Sequence, residues 1–412
     1  MKDRVFFPEN GIDKHKKLAM PCFSFFVRKK RASSDKQTIS DDEDISGIKN
    51  VNLYTFKELR VATNNFSPAN KIGEGGFGSV YKGKLRDGSV AAIKVLSTDS
   101  RQGVREFLTE INVISEVEHD NLVKLYGCCA EGNQRILVYG YLENNSLAQT
   151  LLGGGHNSIQ FNWQTRHKIC IGVAQGLAFL HEDVQPHIIH RDIKASNILL
   201  DKDLTPKISD FGLAKFISPN LTHISTRVAG TAGYLAPEYA IRGQVTRKAD
   251  IYSFGVLLIE IVSGRNNTNK RLPAEEQYLL QRAWELHEKG ELLRLVDASL
   301  SDDFNVEEAC RFLKIGLLCT QDNPKLRPSM STVVKMLLGE MNLIDEEISK
   351  PGLIAQFMDS KDGRGQEDDA KMKNTSYAES SGLGKPDTSS SYGNITSSVA
   401  TMTFNSIYDR TE

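Results

Sequence analysis

Residues 190–197 read HRDIKASN, and residues 210–212 read DFG. They hold a carboxylate able to orient a hydroxyl group, Asp192, and two oxygen ligands suited to Mg²⁺, Asn197 and Asp210. Chemistry that moves a phosphoryl group needs these parts. A single Asp or Asn in a polar loop is usually a turn or cap residue. The interpretation therefore depends on finding the partners of these residues elsewhere in the chain.

A glycine-rich cluster supplies the next part, because residues 72–80 read IGEGGFGSV. A dinucleotide-binding fold would need a helix directly after these glycines and an acidic residue about 20 positions on. Instead, 79–85 and 90–95 alternate like two strands around a turn, and Lys94 stands near the expected acidic position. The sequence therefore predicts a β-hairpin whose glycines let backbone amides approach phosphate oxygens.

Lys94 lies on the returning strand, where an ammonium group is poorly solvated and needs an anionic partner. The helix predicted over 104–116 offers Glu106, Glu110 and Glu116. We predict that Glu110 is the partner of Lys94. Glu106 and Glu116 are expected on the solvated face of that helix.

Bulk composition limits the class of protein. A chain of 412 residues with 40% hydrophobic content can bury one large core or two lobes, with tails. The net charge of −1 gives no argument for nucleic acid as a partner, and the six cysteines have neither disulfide-framework nor zinc-site spacing. The most apolar internal run, 254–262, is far shorter than the ~20 residues of a membrane span, and no signal peptide is evident. We therefore expect a cytoplasmic chain.

Local composition divides the chain into segments. Residues 1–50 are polar and charged and are typical of a disordered tail. Residues 51–65 lead into the glycine cluster through a short helix, which Thr55 and Glu58 open as a capping box. Residues 345–412 are rich in Ser and Thr and predict a second disordered tail.

The first tail contains one local feature, Cys22 followed by the basic cluster Arg28-Lys29-Lys30-Arg31. An acyl chain on Cys22 together with this cluster would form a two-signal peripheral membrane anchor. A basic tail with an unmodified cysteine explains the same residues equally well. Lys2 excludes N-myristoylation of the chain as written, and a start at Met20 would make Cys22 the third residue.

Taken together, residues 66–342 resemble a eukaryotic protein kinase domain. The signature blocks occur in the family's order: the glycine loop, Ala92-Ile93-Lys94, His190-Arg191-Asp192, Asp210-Phe211-Gly212 and Ala236-Pro237-Glu238. The resemblance implies an α+β, bilobal protein kinase fold. It places a β-rich N-lobe with one key helix at about 66–142, a mainly α-helical C-lobe at about 147–342, and ATP between them.

The resemblance also implies roles for individual residues. Asp192 would be the catalytic base or orienter of the substrate hydroxyl, Lys94 would pair with Glu110 and the phosphates, and Asn197 and Asp210 would bind Mg²⁺, with Mn²⁺ as an alternative. Adenine would lie near a hinge at about 139–142. The expected ATP-binding residues are Ile72, Gly73, Glu74, Gly75, Gly76, Phe77, Gly78, Ser79, Val80, Ala92, Lys94, Glu110, Tyr139, Tyr141 and Leu199.

Lys194 indicates the acceptor. It follows Asp192 by two positions, as is typical of serine/threonine kinases, whereas tyrosine kinases usually carry an arginine at the position of Ser196. The resemblance therefore implies transfer to protein Ser or Thr hydroxyls, and it makes Lys194 a further catalytic residue. Two structural roles carry over as well: Glu238 would pair with Arg327, and Asp250 would brace the catalytic loop, residues 190–197.

Arg191, directly before Asp192, implies regulation by phosphorylation. Family members with this arginine often need a phosphate on the activation segment, residues 210–238 here, because an unpaired cationic pocket disorders that segment. Ser225 and Thr226 are the preferred phosphosites. Thr231 is a third candidate, although its hydroxyl is also suited to a structural role next to Asp192.

Several stretches narrow the resemblance to plant receptor-like kinases of the Pelle-like group. Residues 56–66 read FKELRVATNNF, residues 225–231 read STRVAGT, and residues 326–330 read LRPSM. No ectodomain or membrane span is evident, so the chain resembles a receptor-like cytoplasmic kinase, most similar to the plant cold-responsive protein kinases. That group implies stress signalling at the inner face of the plasma membrane, with membrane receptor kinases as upstream partners.

Two other functions compete with an active kinase. A catalytically silent pseudokinase scaffold normally lacks one of Lys94, Asp192 or Asp210, and all three are present. A nucleotide-binding oxidoreductase is disfavoured by the strand that follows the glycines. The sequence therefore favours an ATP-dependent serine/threonine protein kinase.

Overall fold

The computed structural model describes residues 51–75, 78–96, 101–115, 117–153, 159, 161–300, 304–343 and 348–353. The described residues all belong to one compact unit, Gly47–Glu412. In this part of the chain, no helix has both the length and the apolar character needed to cross a membrane. The predicted anchor at Cys22, the cluster at 28–31 and most of the second tail lie outside the described residues.

The strands form one large sheet in the N-lobe and short pairs in the C-lobe. Their bounds are β1 (Asn52–Leu53), β2 (Lys71–Gly75), β3 (Gly78–Lys84), β4 (Val90–Leu96), β5 (Leu125–Cys129), β6 (Ile136–Gly140), β7 (His187–Ile189), β8 (Ile198–Leu200), β9 (Pro206–Ile208), β10 (Lys215–Ile217), β11 (Ile224–Ser225) and β12 (Gln244–Val245). The large sheet has the order β1-β5-β6-β4-β3-β2, and its pairs are antiparallel except β1 with β5. The predicted hairpin is therefore present as β3 and β4.

The helices lie mainly in the C-lobe. Their bounds are α1 (Phe56–Ala62), α2 (Arg101–Ile114), α3 (Leu147–Thr150), α4 (Trp163–Ala178), α5 (Pro237–Arg242), α6 (Arg247–Ser263), α7 (Leu279–Glu288), α8 (Val306–Cys319) and α9 (Met330–Leu337). α2 begins and ends slightly earlier than the helix predicted over 104–116. Its placement on the N-lobe brings it beside the catalytic cleft.

α1 begins with the predicted capping box. The Thr55 side chain accepts from the Glu58 amide at 3.2 Å, and the Glu58 carboxylate accepts from the Thr55 amide at 2.7 Å. On the inner side of α1, Leu59 is fully buried against Ile93 and Val138 of the sheet. The lead-in helix thus covers the face of the sheet that is turned away from the cleft.

α6 forms the centre of the C-lobe, because the helix is apolar nearly all round. Thr246 caps its first turn, and Gly264 ends it in the left-handed conformation with φ of 64°. α8 approaches α6 closely at Gly255, where an added Cβ would lie 2.7 Å from the Gly316 carbonyl oxygen. The two helices are therefore closely packed in the centre of the C-lobe.

One segment of the predicted second tail lies on the folded domain. Ile348 is buried, and Pro351 and Gly352 are also buried against the C-lobe. The domain therefore extends past the predicted boundary at 342, and the prediction of a disordered tail from 345 does not describe these residues. Periodicity did not reveal this segment because it is short and extended, and tertiary contacts hold it in place.

Candidate active site

Lys94 connects the two lobes. Its Nζ lies 3.2 Å from Glu110 Oε2 on α2 and 3.0 Å from Asp210 Oδ1, which follows β9 in the C-lobe. Glu110 is almost fully buried, as the choice of this residue as the partner requires. The predicted pair therefore forms, and it is joined by the Asp of the DFG stretch.

The three charges do not titrate alike. Burial opposes the charge on Lys94, but Asp210 and Glu110 outweigh it and raise the pKa of the ammonium. Burial raises the pKa of Glu110, whereas for Asp210 the attraction of Lys94 overcomes burial and lowers the pKa. Two carboxyl groups thus share one ammonium, and the opposite directions of their pKa shifts make Asp210 the more acidic of the two, as suits a metal ligand.

Tyr139 was expected at the hinge near adenine, but its side chain has another partner. It lies on β6 opposite Ala92, and its hydroxyl donates to Glu110 Oε1. The phenol therefore supports the Lys94–Glu110 pair from behind, a contact that the sequence did not reveal. Tyr141 follows the strand, and the Lys82 Nζ lies 4.2 Å from its ring centroid.

The glycine-rich cluster crosses from β2 to β3. Its described members are Ile72, Gly73, Glu74, Gly75, Gly78, Ser79 and Val80, whereas Gly76 and Phe77 lie outside the described residues. Gly78 has φ of 125°, and an added Cβ would lie 2.0 Å from the Val95 carbonyl oxygen, so only glycine fits there. Close packing of the hairpin is therefore a second reason for glycine at this position, beside the predicted approach of phosphate oxygens.

The alternation of side chains along β3 and β4 shows which of the predicted ATP-binding residues lie on the same face of the sheet as Lys94. Val80 pairs with Lys94 across the two strands, and Ala92 lies two residues from Lys94 on the same face. Ser79 instead lies on the opposite face, where it lines a recess with Tyr81. Its predicted contact with ATP can therefore involve the backbone only. The C-lobe supplies the half-buried Leu199 on β8.

The catalytic loop surrounds the Asp192 carboxylate with donors. Oδ1 accepts from the Thr231 hydroxyl at 2.7 Å, and Oδ2 lies 2.8 Å from Lys194 Nζ and 3.0 Å from Asn197 Nδ2. Lys194 also donates to Thr231 Oγ1 at 2.7 Å. Of the two readings of Thr231, this geometry favours the structural hydroxyl next to Asp192.

Asp250 braces the loop from α6. Its Oδ2 accepts from the His190 amide at 2.7 Å and lies 2.9 Å from His181 Nε2, and its Oδ1 accepts from the Arg191 amide at 2.8 Å. Burial favours the protonated acid, but these contacts outweigh it and lower the pKa of Asp250. A buried, ionised carboxylate thus holds Arg191 at φ of 72°, a strained conformation for a side-chain-bearing residue.

The Arg191 side chain does not form the unpaired cationic pocket that the sequence suggested. It donates to the carbonyl oxygens of Leu213 and Arg227, each at 2.9 Å, and to the Tyr239 hydroxyl. Both carbonyls belong to the activation segment. Backbone carbonyls therefore satisfy this arginine without a phosphate, a possibility that residue type alone could not show.

Glu106 corrects a second expectation. Instead of facing solvent, it is only 6% exposed, and its Cβ would be 3.3 Å from a Cβ added at Gly212. The start of the activation segment covers this face of α2, so a helix-face argument from the N-lobe alone fails. Glu116 lies outside the described residues.

Two further ion and hydrogen-bond sites support the activation segment. Arg327 binds Glu238 through two contacts of 2.7 and 2.9 Å, as predicted. Tyr234 donates to Glu260 Oε2 at 2.7 Å, and the Ala195 amide of the catalytic loop donates to the same phenol at 3.5 Å. The Tyr234–Glu260 link was not predicted, because the buried run of α6 gave no sign that its glutamate faces a partner.

The predicted phosphosites differ in accessibility. Ser225 is exposed on β11, opposite Gln244, whereas Thr226 is half-buried and its amide donates to the Gly243 carbonyl at 3.0 Å. Thr231 is half-buried and bound to the catalytic loop. Ser225 is thus the most accessible of the three hydroxyls.

Asn197 and Asp210 fit a magnesium site. The Asn197 Nδ2 donates to Asp192, and within the described residues its amide oxygen accepts no hydrogen bond. Asp210 uses Oδ1 for Lys94 and has no described bond to Oδ2. In the same part of the chain, no group of three His, Cys, Asp or Glu side chains could hold a metal. Mg²⁺ needs no such group, since one or two protein oxygens with phosphates and water suffice.

Comparison with known proteins agrees with this geometry: residues 66–338 match the protein kinase domain family. The chain belongs to the protein kinase family. It is 71% identical over 322 residues to cold-responsive protein kinase 1 of Arabidopsis thaliana, covering 78% of this chain and 83% of that protein.

Larger relatives match over the same region. Two probable leucine-rich-repeat receptor-like serine/threonine-protein kinases of Arabidopsis thaliana are 54% identical over 335 residues and 49% identical over 373 residues. The alignments cover 81% and 88% of this chain, but only 32% and 36% of those proteins. The chain thus spans about a third of these receptor-like relatives.

These findings confirm the bilobal kinase fold, the resemblance to plant receptor-like kinases and the prediction of a serine/threonine protein kinase in plant signalling. Nothing in them favours the pseudokinase scaffold.

Proposed function

We propose that this kinase transfers the γ-phosphoryl group of Mg-ATP to Ser or Thr hydroxyls through Asp192. The observation that carries the proposal is the arrangement of donors on this carboxylate. The Thr231 hydroxyl lies 2.7 Å from Asp192 Oδ1, which is the distance at which the carboxylate would hold an acceptor hydroxyl. Lys194, beside the same carboxylate, would place a positive charge next to the phosphoryl group in transit.

The other residues would position the nucleotide. Lys94, held by Glu110, would bind the ATP phosphates, and the glycine-rich hairpin would cover them with backbone amides. Asn197 and Asp210 would hold Mg²⁺, which neutralises phosphate charge when it is bound. Ala92, Val80 and Leu199 would enclose adenine at the hinge.

Activation by phosphorylation at Ser225 or Thr226 remains part of the proposal. Ser225 is accessible to another kinase molecule, and Thr226 directly precedes the carbonyl that Arg191 binds. A phosphate there would reinforce an order that Arg191 already supports. Phosphate mapping of active protein by mass spectrometry tests this idea, and finding none between 210 and 238 would contradict it.

We also propose that the kinase acts near membrane receptor kinases, because several relatives are receptor-like. Peripheral attachment would involve an acylated Cys22 and the basic cluster at 28–31. Cys22→Ser should move the protein from the membrane fraction to the soluble fraction of plant cells. Retention of the variant on membranes would contradict acylation as the anchor.

Incubation of purified protein with labelled ATP, Mg²⁺ and a generic protein substrate tests the transfer reaction. Wild-type protein should label Ser and Thr, while Lys94→Met and Asp210→Asn should reduce labelling at least about 100-fold. Incorporation no greater than in these variants would favour the pseudokinase scaffold instead.

A further inference from the structure

Residues 348–353 form an extended strap on the C-lobe, beyond the matched domain, which ends at 338. The Gly352 amide donates to the Thr320 carbonyl at 3.1 Å, and the Asp322 amide donates to the Lys350 carbonyl at 3.2 Å. The Tyr252 hydroxyl of α6 donates to the Gly352 carbonyl at 2.6 Å. The backbone of the strap is therefore bonded to the loop after α8 and to the central helix.

Ser349 completes the strap through the side chain of Gln321. The carboxamide oxygen of Gln321 accepts from the Ser349 amide at 3.0 Å and from its hydroxyl at 2.7 Å. Gln321 is fully buried, and its Nε2 already donates to the carbonyl oxygens of Leu318 and Leu326. These two donors fix the orientation of the carboxamide, so the oxygen must face Ser349.

The strap also touches the end of the activation segment. A Cβ added at Gly352 would lie 2.7 Å from Pro237 Cγ and 2.7 Å from Asp322 Oδ1, so the strap packs directly against the start of α5. Pro237 directly precedes Glu238, which binds Arg327. The Tyr252 ring lies below Arg327, with 5.0 Å between the guanidinium carbon and the ring centroid. The strap thus lies beside the residues that carry the Glu238–Arg327 ion pair.

We propose that Ser349 is a phosphorylation site that releases this strap from the C-lobe. The residue is exposed, so a second copy of this kinase can approach it, while the bond to Gln321 requires its hydroxyl to be a donor. A phosphoserine oxygen only accepts hydrogen bonds at neutral pH, apart from a residual proton near its second pKa of about 6. It would face the fixed carboxamide oxygen of Gln321, and two acceptors repel.

The step rests on the proposed transfer activity. Ser349 Oγ forms the bond to the γ-phosphorus of ATP, the bond from that phosphorus to the β–γ bridging oxygen breaks, and ADP leaves. The hydroxyl proton goes to Asp192 of the second copy.

Full-length protein tests the proposal in two measurements. Mass spectrometry after incubation with Mg-ATP should find phosphate on Ser349, with a generic protein substrate in the same tube as a control for transfer.

Hydrogen exchange measures release of the strap. Ser349→Glu should accelerate exchange of the amides of 348–353 at least about tenfold, because two hydrogen bonds of the strap are lost. Gly352→Ala should do the same without charge, because its Cβ collides with Pro237. Lys350→Gln makes the same charge change as Ser349→Glu at an exposed side chain and should leave exchange unchanged.

Each outcome decides between the hypotheses. Labelled substrate with unmodified Ser349 overturns this proposal and leaves the proposed function intact. No labelling of any protein overturns both. Acceleration in Lys350→Gln equal to that in Ser349→Glu would assign the effect to net charge and overturn the release mechanism. Unchanged exchange in Ser349→Glu and Gly352→Ala would show that the strap does not depend on these contacts, and it would overturn the release mechanism.

Discussion

Two buried ion clusters lie at opposite ends of the activation segment, and they use charge differently. Lys94 is shared by Glu110 and Asp210, so one cation faces two carboxylates. Arg327 faces the single carboxylate of Glu238 and is 0% exposed in its side chain. The first cluster joins the two lobes, whereas the second lies wholly within the C-lobe.

The two clusters differ in how many of their hydrogen-bonding groups already have a partner. Arg327 uses its remaining donors on the carbonyl oxygens of Gln321, Lys248 and Asp322, so every part of the guanidinium has a partner. At the Lys94 cluster, two carboxyl groups face one ammonium, and Asp210 keeps an oxygen that no described donor binds. Unused binding capacity is what a site for Mg-ATP needs, whereas a saturated pair can only hold structure. We therefore expect substitutions near Lys94 to change rates and substitutions at Arg327 to change stability.

Among substitutions in the cleft that contains the Lys94 cluster, Asp192→Asn should have the largest effect on rate. Loss of the carboxylate should lower turnover by roughly 10²–10⁴-fold, the range typical of a general base. The unfolding free energy should fall by less than the loss of about 3–5 kcal/mol expected for a fully buried pair, because the asparagine keeps one oxygen as an acceptor and Lys194 is partly exposed. Steady-state phosphorylation of a peptide and urea unfolding of the same preparation measure the two quantities. A loss of turnover below tenfold would remove Asp192 from its proposed role.

Arg327→Met is the matching test of the stability side. Glu238 would lose its bidentate partner, and such a break should cost about 3–5 kcal/mol of unfolding free energy. Arg294→Met is the control, since the Arg294–Glu291 pair is 64% and 44% exposed and should be worth less than about 1 kcal/mol. Urea unfolding compares them. Equal destabilisation by the two variants would contradict the saturated-pair argument.

The sequence correctly predicted those parts of the site whose residues belong to short motifs. The choice of Glu110 for Lys94 followed from the need of a poorly solvated ammonium for an anion, and the hairpin followed from alternation after the glycines. The pair Glu238–Arg327 came from the resemblance alone, because its members lie 89 residues apart. Distance along the chain does not obscure a motif that a whole family shares.

Sequence reasoning failed where a contact depends on what covers a face. Glu106 is buried because Gly212 packs over α2, and Arg191 is satisfied by carbonyl oxygens that no side-chain pattern reveals. Tyr139 and Glu260 find partners on other elements, so their strand and helix patterns show burial but not hydrogen bonding. These contacts are set by tertiary packing, which local periodicity cannot predict.

Glu260 allows a test that depends on pH. Burial raises its pKa from 4.5 to about 7, so the folded state holds this proton more tightly than the unfolded state does. Its contribution to stability is then present below about pH 4.5 and is lost as the pH rises through about 7. Relative to Glu260→Gln, the wild type should lose up to about 3 kcal/mol over that interval.

Urea unfolding at a series of pH values measures this loss. Glu276→Gln, at a more exposed carboxylate, is the control and should follow the wild-type profile. A constant difference between wild type and Glu260→Gln from pH 4.5 to 7 would show that Glu260 does not titrate there.

Tyr139→Phe should have the smallest effect. It tests whether the hydrogen bond from Tyr139 to Glu110 helps Lys94 to bind Mg-ATP. The variant removes the donor to Glu110 Oε1 while it keeps the ring, so we expect a loss of about 1–2 kcal/mol in unfolding free energy and a rise of a few fold in KM for Mg-ATP. kcat should change less than KM, because Asp192 is untouched. Tyr278→Phe, on the exposed tyrosine before α7, whose hydroxyl has no described partner, should leave both quantities unchanged. An unchanged KM in Tyr139→Phe would mean that Glu110 holds Lys94 without help from the phenol, and it would limit the cluster to the three charges.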